Sequence, residues 1–155
     1  TPQEWKPART LTFAYEESEE VVLRTLVDHE KMTLTRFEPP LVMLPERMLV
    51  GETHQASTSL EVLDLKRDSR VIDRGTAAIL CTLTIGTSLS EGVPSENLLL
   101  QTSMTFDIGP ATVLQERGQT IKPQTGGLIG EVERLRVKVG IITIRRDEKS
   151  WMLAQ

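Results

Sequence analysis

The chain offers few residues whose types and spacing could support metal binding. Its only imidazoles, His29 and His54, have acidic neighbours in Glu30 and Glu52. A zinc or iron site needs three or four converging ligands, and neither histidine belongs to an H-x-x-x-H pattern. The sequence therefore predicts ordinary turn and strand histidines, with no metal site and no cofactor.

The other candidates for chemistry are an acidic segment and a single thiol. Residues 16–20 are rich in Glu but lack the Asp/Asn/Gly alternation of calcium loops, which favours a solvated turn. Cys81 lies in an apolar run, where burial disfavours the thiolate. No Ser stands in a Gly-x-Ser-x-Gly elbow. No catalytic residue is predicted, and a hydrolase built from scattered Ser, Asp and His54 is the third functional alternative.

Basic residues are concentrated near the end of the chain. Arg134, Arg136 and Lys138 alternate along one predicted strand face, and Arg145 and Arg146 follow. The first interpretation of this group is a solvated face, and a face for an acidic protein or an anionic lipid headgroup is the alternative. Nucleic acid is not predicted, because stacking aromatics are missing and the whole chain has a net charge of −4.

Two further segments allow a functional and a structural interpretation. The apolar residues Trp151, Met152 and Leu153 are predicted to form a tail that docks on the domain or on a partner. Residues 125–130 superficially resemble a phosphate loop but lack its Lys-Ser/Thr ending, so a glycine hairpin or corner is predicted.

The elements that position these residues are predicted to be short strands. Leu98, Leu100, Thr102, Met104 and Phe106 alternate with mostly polar residues, which is typical of a strand with one face in a core. Further strands are predicted at 9–15, 31–37, 56–64, 76–85, 111–116, 128–137 and 139–146, the last with a bulge at Gly140. Residues 21–27 fit a helix or a strand, and their β-branched residues favour the strand.

The connections are predicted from Pro, Gly and charged residues. Residues 37–52, with Pro39, Pro40 and Pro45, are predicted to form a stiff crossover, and residues 1–7 an extended lead-in around Trp5. Residues 86–95 are predicted to be a loop, and Arg117-Gly118-Gln119 a turn.

Length and strand spacing together predict one fold class. The 155 residues suit a single domain spanning residues 1–155. Eight to ten short strands with little or no helix predict an all-β fold, either an antiparallel barrel or a strongly curved β-sandwich. No apolar run is long enough for a transmembrane segment, and the first residues carry no signal-peptide core, as would also be true after removal of a leader.

The order of these parts resembles a family of uncharacterised bacterial exported or periplasmic β-proteins, often lipoproteins. The similarity rests on the Pro39-Pro40 crossover, the strand that begins at Gly75-Thr76, Val93-Pro94 before a long strand, and the late Gly126-Gly127 turn. The chain lacks the aromatic strand and the Pro-x-Gly-x-Phe ending of that family. The resemblance implies a barrel-like antiparallel fold and an envelope or periplasmic location, and it contributes no catalytic residues.

These observations predict a binding or structural protein and not an enzyme. The leading hypothesis is a module of a bacterial cell envelope that serves as an accessory subunit of a larger protein assembly and contacts the membrane surface without crossing it. The alternative is a carrier that holds a lipid or another apolar ligand inside a barrel.

Overall fold

The computed structural model describes residues 11–17, 19–90 and 93–153, and within these ranges it contains nine β-strands and no helix. This confirms the all-β prediction and the strand assignment of residues 21–27. The lead-in predicted around Trp5 lies outside the described residues. The strands are β1 (Leu11–Glu17), β2 (Val21–Asp28), β3 (Thr33–Leu44), β4 (Thr53–Asp64), β5 (Arg70–Ser90), β6 (Val93–Ile108), β7 (Ala111–Ile121), β8 (Leu128–Val139) and β9 (Ile142–Met152).

All nine strands form one antiparallel sheet in which each strand pairs with its neighbours in the sequence, in the order β1 to β9. The two outermost strands, β1 and β9, each pair with one other strand in the described part of the chain. The sheet is therefore open, and of the two predicted architectures it corresponds to the strongly curved one and not to a closed barrel. Within the described residues, no helix is long and apolar enough to cross a bilayer.

The sheet bends back on itself within β3. This strand pairs with β4 only from Thr33 to Glu38, but it continues to pair with β2 as far as Leu44. Pro39 and Pro40 follow the last β4 pair, and proline has no N–H to donate to a ladder. The segment predicted to be a stiff crossover is thus strand as far as Leu44, and Pro39 and Pro40 mark the place where β3 leaves β4.

Side chains of β4 and β5 hold the end of β3 over one face of the sheet. His54 Nε2 lies 2.9 Å from the carbonyl oxygen of Val42, and Thr58 Oγ1 donates to the carbonyl oxygen of Pro39. The Cys81 thiol donates to the carbonyl oxygen of Met43 at 3.5 Å. These donors replace the ladder partners that β3 loses, since an unpaired buried carbonyl costs free energy.

The core fills the space between the folded-over strands and the sheet beneath them. Its fully buried side chains come from both layers and are Leu23, Phe37, Leu41, Leu60 and Cys81. Ile79 and Met104 complete the lower layer, and the Phe37 ring packs against Phe106 with 6.1 Å between centroids. We call the side of the sheet that carries these residues the core face, and the opposite side the outer face. The buried apolar cluster is confined to β2–β6, and the core face of β7 and β8 mixes polar side chains with partly buried apolar ones.

The prediction of a loop at residues 86–95 is wrong. β5 extends to Ser90 and β6 begins at Val93, so Leu89 lies opposite Pro94 in a long hairpin whose residues 91 and 92 lie outside the described ranges. Ladder pairing with a neighbouring strand outweighs the weak strand propensity of Gly and Ser. Pro94 lies before Leu98, where pairing of β6 with β7 begins, and proline is tolerated in a strand segment that has one unpaired side.

Two glycine predictions in the last three strands are also wrong. Gly118 lies inside β7, opposite Val132, and not in a turn. Gly140, with φ of +59°, forms the turn between β8 and β9, where glycine adopts the left-handed conformation without steric cost. The bulge of β9 lies at Ile144 instead, because Lys138 pairs with Thr143 and Val137 pairs with Arg145. The predicted turn before β8 is confirmed, with Gly126 at φ of +67°.

Candidate docking edge

The last hairpin, β8 and β9, brings together all the residues that the sequence singled out for binding. β9 pairs with β8 along one side, from Val139 opposite Ile142 to Gly130 opposite Met152. Its other side has no strand neighbour in the described part of the chain. The predicted tail is wrong in form, because Trp151 and Met152 belong to this strand and only Leu153 follows it.

Apolar side chains are unusually exposed along this hairpin. Ile141 is fully exposed, Met152 is 70% exposed, and Ile142, Ile144, Trp151 and Leu153 also rank among the exposed large hydrophobic residues. Apart from Asp147, every residue of β9 is exposed. A long edge strand with free backbone groups and apolar side chains is a template for pairing with another chain. The five consecutive charged residues at 145–149 restrict such pairing to a partner of complementary charge. We call β9, together with its side that faces away from β8, the docking edge.

The backbone direction of the docking edge follows from one hydrogen bond. The N–H of Leu153 donates to the carbonyl oxygen of Ile129 at 2.9 Å, so the backbone N–H and C=O groups of Leu153 point toward β8. Along an antiparallel strand, the backbone groups of successive residues point alternately to one side of the strand and to the other. No register shift between Arg145 and Met152 interrupts this alternation. The N–H and C=O groups of Arg146, Glu148, Ser150 and Met152 therefore point away from β8.

The predicted basic residues are divided between the two faces of the hairpin. Register places Arg134, Arg136, Lys138 and Arg146 on the outer face, with Arg145 on the core face. Two of the five are paired: Arg134 lies 3.2 Å from Glu148, and Arg145 lies 2.6 Å from Asp147.

Arg136 and Arg146 concentrate positive charge at one point of the outer face. They lie directly opposite each other on β8 and β9. Like charges in this position destabilise a sheet. Among the described residues, no carboxylate lies within ion-pair distance of either guanidinium. An anionic group placed above this pair would relieve the repulsion.

A polar network that the sequence did not reveal supports the hairpin from the core face. Gln115 donates to Glu133, and Gln119 donates to Glu131 at 2.9 Å. Between them, Arg117 lies 3.5 Å from Glu133 and 4.0 Å from Glu131, although its buried Nε has no acceptor. These bonds tie β7 to β8 where the apolar core has ended. The two-residue spacing of Gln115, Arg117 and Gln119 in the sequence indicates that they share one strand face. Their partners Glu131 and Glu133 could not be predicted without the register between β7 and β8.

The residues considered for catalysis or metal binding lie far from this hairpin in the topology. Burial raises the pKa of the Cys81 thiol, and the thiol shares a 3.5 Å contact with the hydroxyl of Thr102. His54 bonds a backbone carbonyl, and His29 lies in the turn between β2 and β3. No cluster of three or more His, Cys, Asp or Glu side chains suited to a metal ion occurs among the residues that the structure describes.

One open depression of about 540 Å³ lies on the opposite side of the sheet from the core. It is lined mainly by small and polar side chains from β4, β5 and β6, including Gln55, Ser57, Leu80, Ser103 and Thr105. Its hydroxyl groups have no neighbouring base among these lining residues. The depression is thus a shallow surface of small and polar side chains on three neighbouring strands.

Comparison with known proteins gives no relative from which a function could be transferred. No protein-family model, no curated protein and no solved structure matches this chain.

Proposed function

We propose that the protein is a non-enzymatic binding or structural module that joins a larger protein assembly through the docking edge. The observation that carries the proposal is the exposure of β9, whose apolar side chains Ile142, Ile144 and Met152 are each more than half exposed. An extended segment of a partner could add a strand there, with backbone hydrogen bonds supplying affinity and the apolar side chains supplying specificity.

The outer-face charges favour a partner that carries anionic groups beside its added strand. Arg136 and Arg146 would receive such a group, and Lys138 extends the positive field along β8. A membrane surface rich in anionic lipid has the same chemistry and remains part of the proposal for an envelope protein. The bacterial envelope location rests on the family resemblance of the sequence.

The carrier function remains an alternative without a structural observation in its favour. The space between the two layers is filled by Phe37, Leu23 and Leu41, each at most 1% exposed. The open depression on the outer face is partly polar and is not enclosed.

A variant of the docking edge tests the proposed function. Ser150→Pro removes one outward N–H from β9 without removing a bond to β8, and proline is tolerated on edge strands. Ser150→Thr is the matched control, because it keeps the N–H. Each protein is expressed with an affinity tag in its native cells and analysed by size-exclusion chromatography with light scattering. We expect the unsubstituted protein and the Ser150→Thr control to elute as a complex. The proline variant should elute at the mass of a single chain.

The same experiment can contradict the proposal. Elution of the unsubstituted protein from its native extract as a monodisperse single chain would overturn the assembly function. A complex that survives Ser150→Pro unchanged would place the interface elsewhere.

A further inference from the structure

The charge pattern of β9 is complementary to itself when two copies run antiparallel. The strand reads Arg145-Arg146-Asp147-Glu148-Lys149, with Ile144 before it and Trp151-Met152 after it. A two-fold axis perpendicular to the sheet keeps each face continuous across the junction. Directly opposed residues must then lie on the same face of the sheet. Because successive residues of a strand lie on opposite faces, the axis must pass between two copies of the same residue and not between two neighbouring positions.

Only one of the three central registers avoids serious conflict. An axis at Arg146 sets Arg145 against Asp147 of the second copy, but it opposes two Arg146 side chains that have no carboxylate within ion-pair distance among the described residues. An axis at Asp147 sets Arg146 against Glu148 of the second copy, but it opposes two aspartates and also sets Arg145 against Lys149, a like-charge pair that occurs twice. An axis at Glu148 instead sets Asp147 against Lys149, Arg145 against Trp151 and Arg146 against Ser150, each twice.

The axis at Glu148 thus combines an ion pair and a cation–π contact on either side of the centre. Its single like-charge contact joins the two Glu148 side chains. Each of these is already neutralised by Arg134 of its own chain at 3.2 Å. Arg146 also lies diagonal to Glu148 of the second copy in this register. The backbone agrees, because Glu148 is one of the residues whose N–H and C=O point outward.

We propose that the docking edge binds a second copy of this chain, antiparallel and centred on Glu148, so that two nine-stranded sheets become one continuous sheet. This inference rests on the proposed function and names the partner at the same edge. The dimer is concentration-dependent, since a single strand pair buries little surface compared with a stable subunit interface.

Cysteine cross-linking of purified protein tests the register. In Glu148→Cys the two thiols lie directly opposite, with Cα atoms about 5.5 Å apart, a distance that a disulfide spans. In the control Arg146→Cys the two thiols are four residues out of register, roughly 13 Å apart along the strand. Cys81 is buried and does not compete in the folded protein. We expect mild oxidation to give a disulfide dimer at least tenfold faster for Glu148→Cys, as measured on non-reducing gels.

A charge exchange provides a second measurement that does not depend on cysteine. Asp147→Lys sets two lysines opposite each other at both ends of the contact and should weaken the dimer about tenfold in sedimentation equilibrium. The double variant Asp147→Lys with Lys149→Asp should restore dimerisation, because the opposite charges face each other again.

Three outcomes would overturn this inference. One is faster cross-linking of Arg146→Cys than of Glu148→Cys, which would show a different register. Another is failure of the double variant to recover, with the fold verified by circular dichroism. The third is a purified protein that stays monomeric at every concentration. If the native extract nevertheless yields a complex that Ser150→Pro disrupts, the proposed docking function stands, and only a second copy of the chain is excluded as the partner.

Discussion

Glu61 is the described carboxylate whose surroundings most clearly favour its charged form. It accepts hydrogen bonds from Arg36 Nη2 at 2.8 Å and from Arg74 Nε at 3.1 Å, so arginines from β3 and β5 flank it on β4. The hydrogen bond from Arg36, followed by that from Arg74, holds the pKa of Glu61 below its ordinary value. The group is partly open to solvent, which screens the interaction.

We expect Arg36→Gln to raise the pKa of Glu61, because it removes the strongest of these bonds. Carboxyl carbon NMR titration measures this directly, and Arg67→Gln is the control, since Arg67 pairs with Asp64 instead. A folded-state pKa below the unfolded one means that the unfolded chain binds more protons as the pH falls. The stabilisation by Glu61 is therefore complete above its unfolded pKa and is lost as the pH falls through the lowered folded pKa. An unchanged pKa in Arg36→Gln would contradict this assignment.

At the scale of elements, Gly75 of β5 is the described glycine with the least room for a side chain. A Cβ at Gly75 would overlap the backbone carbonyl of Asp107, on the strand directly alongside. Gly118, in the neighbouring β7, has no atom within 4 Å of the position where a Cβ would lie. The two glycines thus offer a matched pair in one sheet.

We predict that Gly75→Ala lowers the free energy of unfolding by about 1–3 kcal/mol or more, because the two strands must move apart. Gly118→Ala should instead be neutral or stabilising by up to about 1 kcal/mol, since alanine restricts the unfolded chain and meets no obstacle. Urea unfolding of both variants measures the difference. Equal effects of the two substitutions would show that the close approach at Gly75 does not constrain the sheet.

Across the whole molecule, the apolar core is unevenly distributed along the sheet. Strands β2–β6 supply every member of the buried cluster, whereas the core face of β7 and β8 carries the Gln115, Arg117 and Gln119 network. Local opening free energies follow buried apolar contact, so the sheet should open from its β9 side.

We expect amide hydrogen exchange, measured by mass spectrometry at low protein concentration, to be slowest in β4–β6 and fastest in β9. Raising the concentration should slow exchange in β9 alone, as a second copy covers the edge. Protection of β9 equal to that of β5 in dilute protein would contradict the gradient.

The local part of this fold could be predicted from single segments. The alternation of Leu100, Met104 and Ile108 sets one face of β6, and the spacing of Arg134, Arg136 and Lys138 places them on one face of β8. The loop at residues 86–95 and the turn at Gly118 were mistaken, because composition reports propensity and a paired neighbour overrides it.

The sequence by itself determined the strand class, the alternating faces and the concentration of basic and apolar residues near the end of the chain. Each of these follows from the two-residue period of a single strand, which needs no partner. Only the tertiary structure decided the bend of β3, the open edge at β9 and the opposition of Arg136 to Arg146. These depend on register and packing between residues far apart in the chain, and a shift of one residue would place every side chain of a strand on the other face.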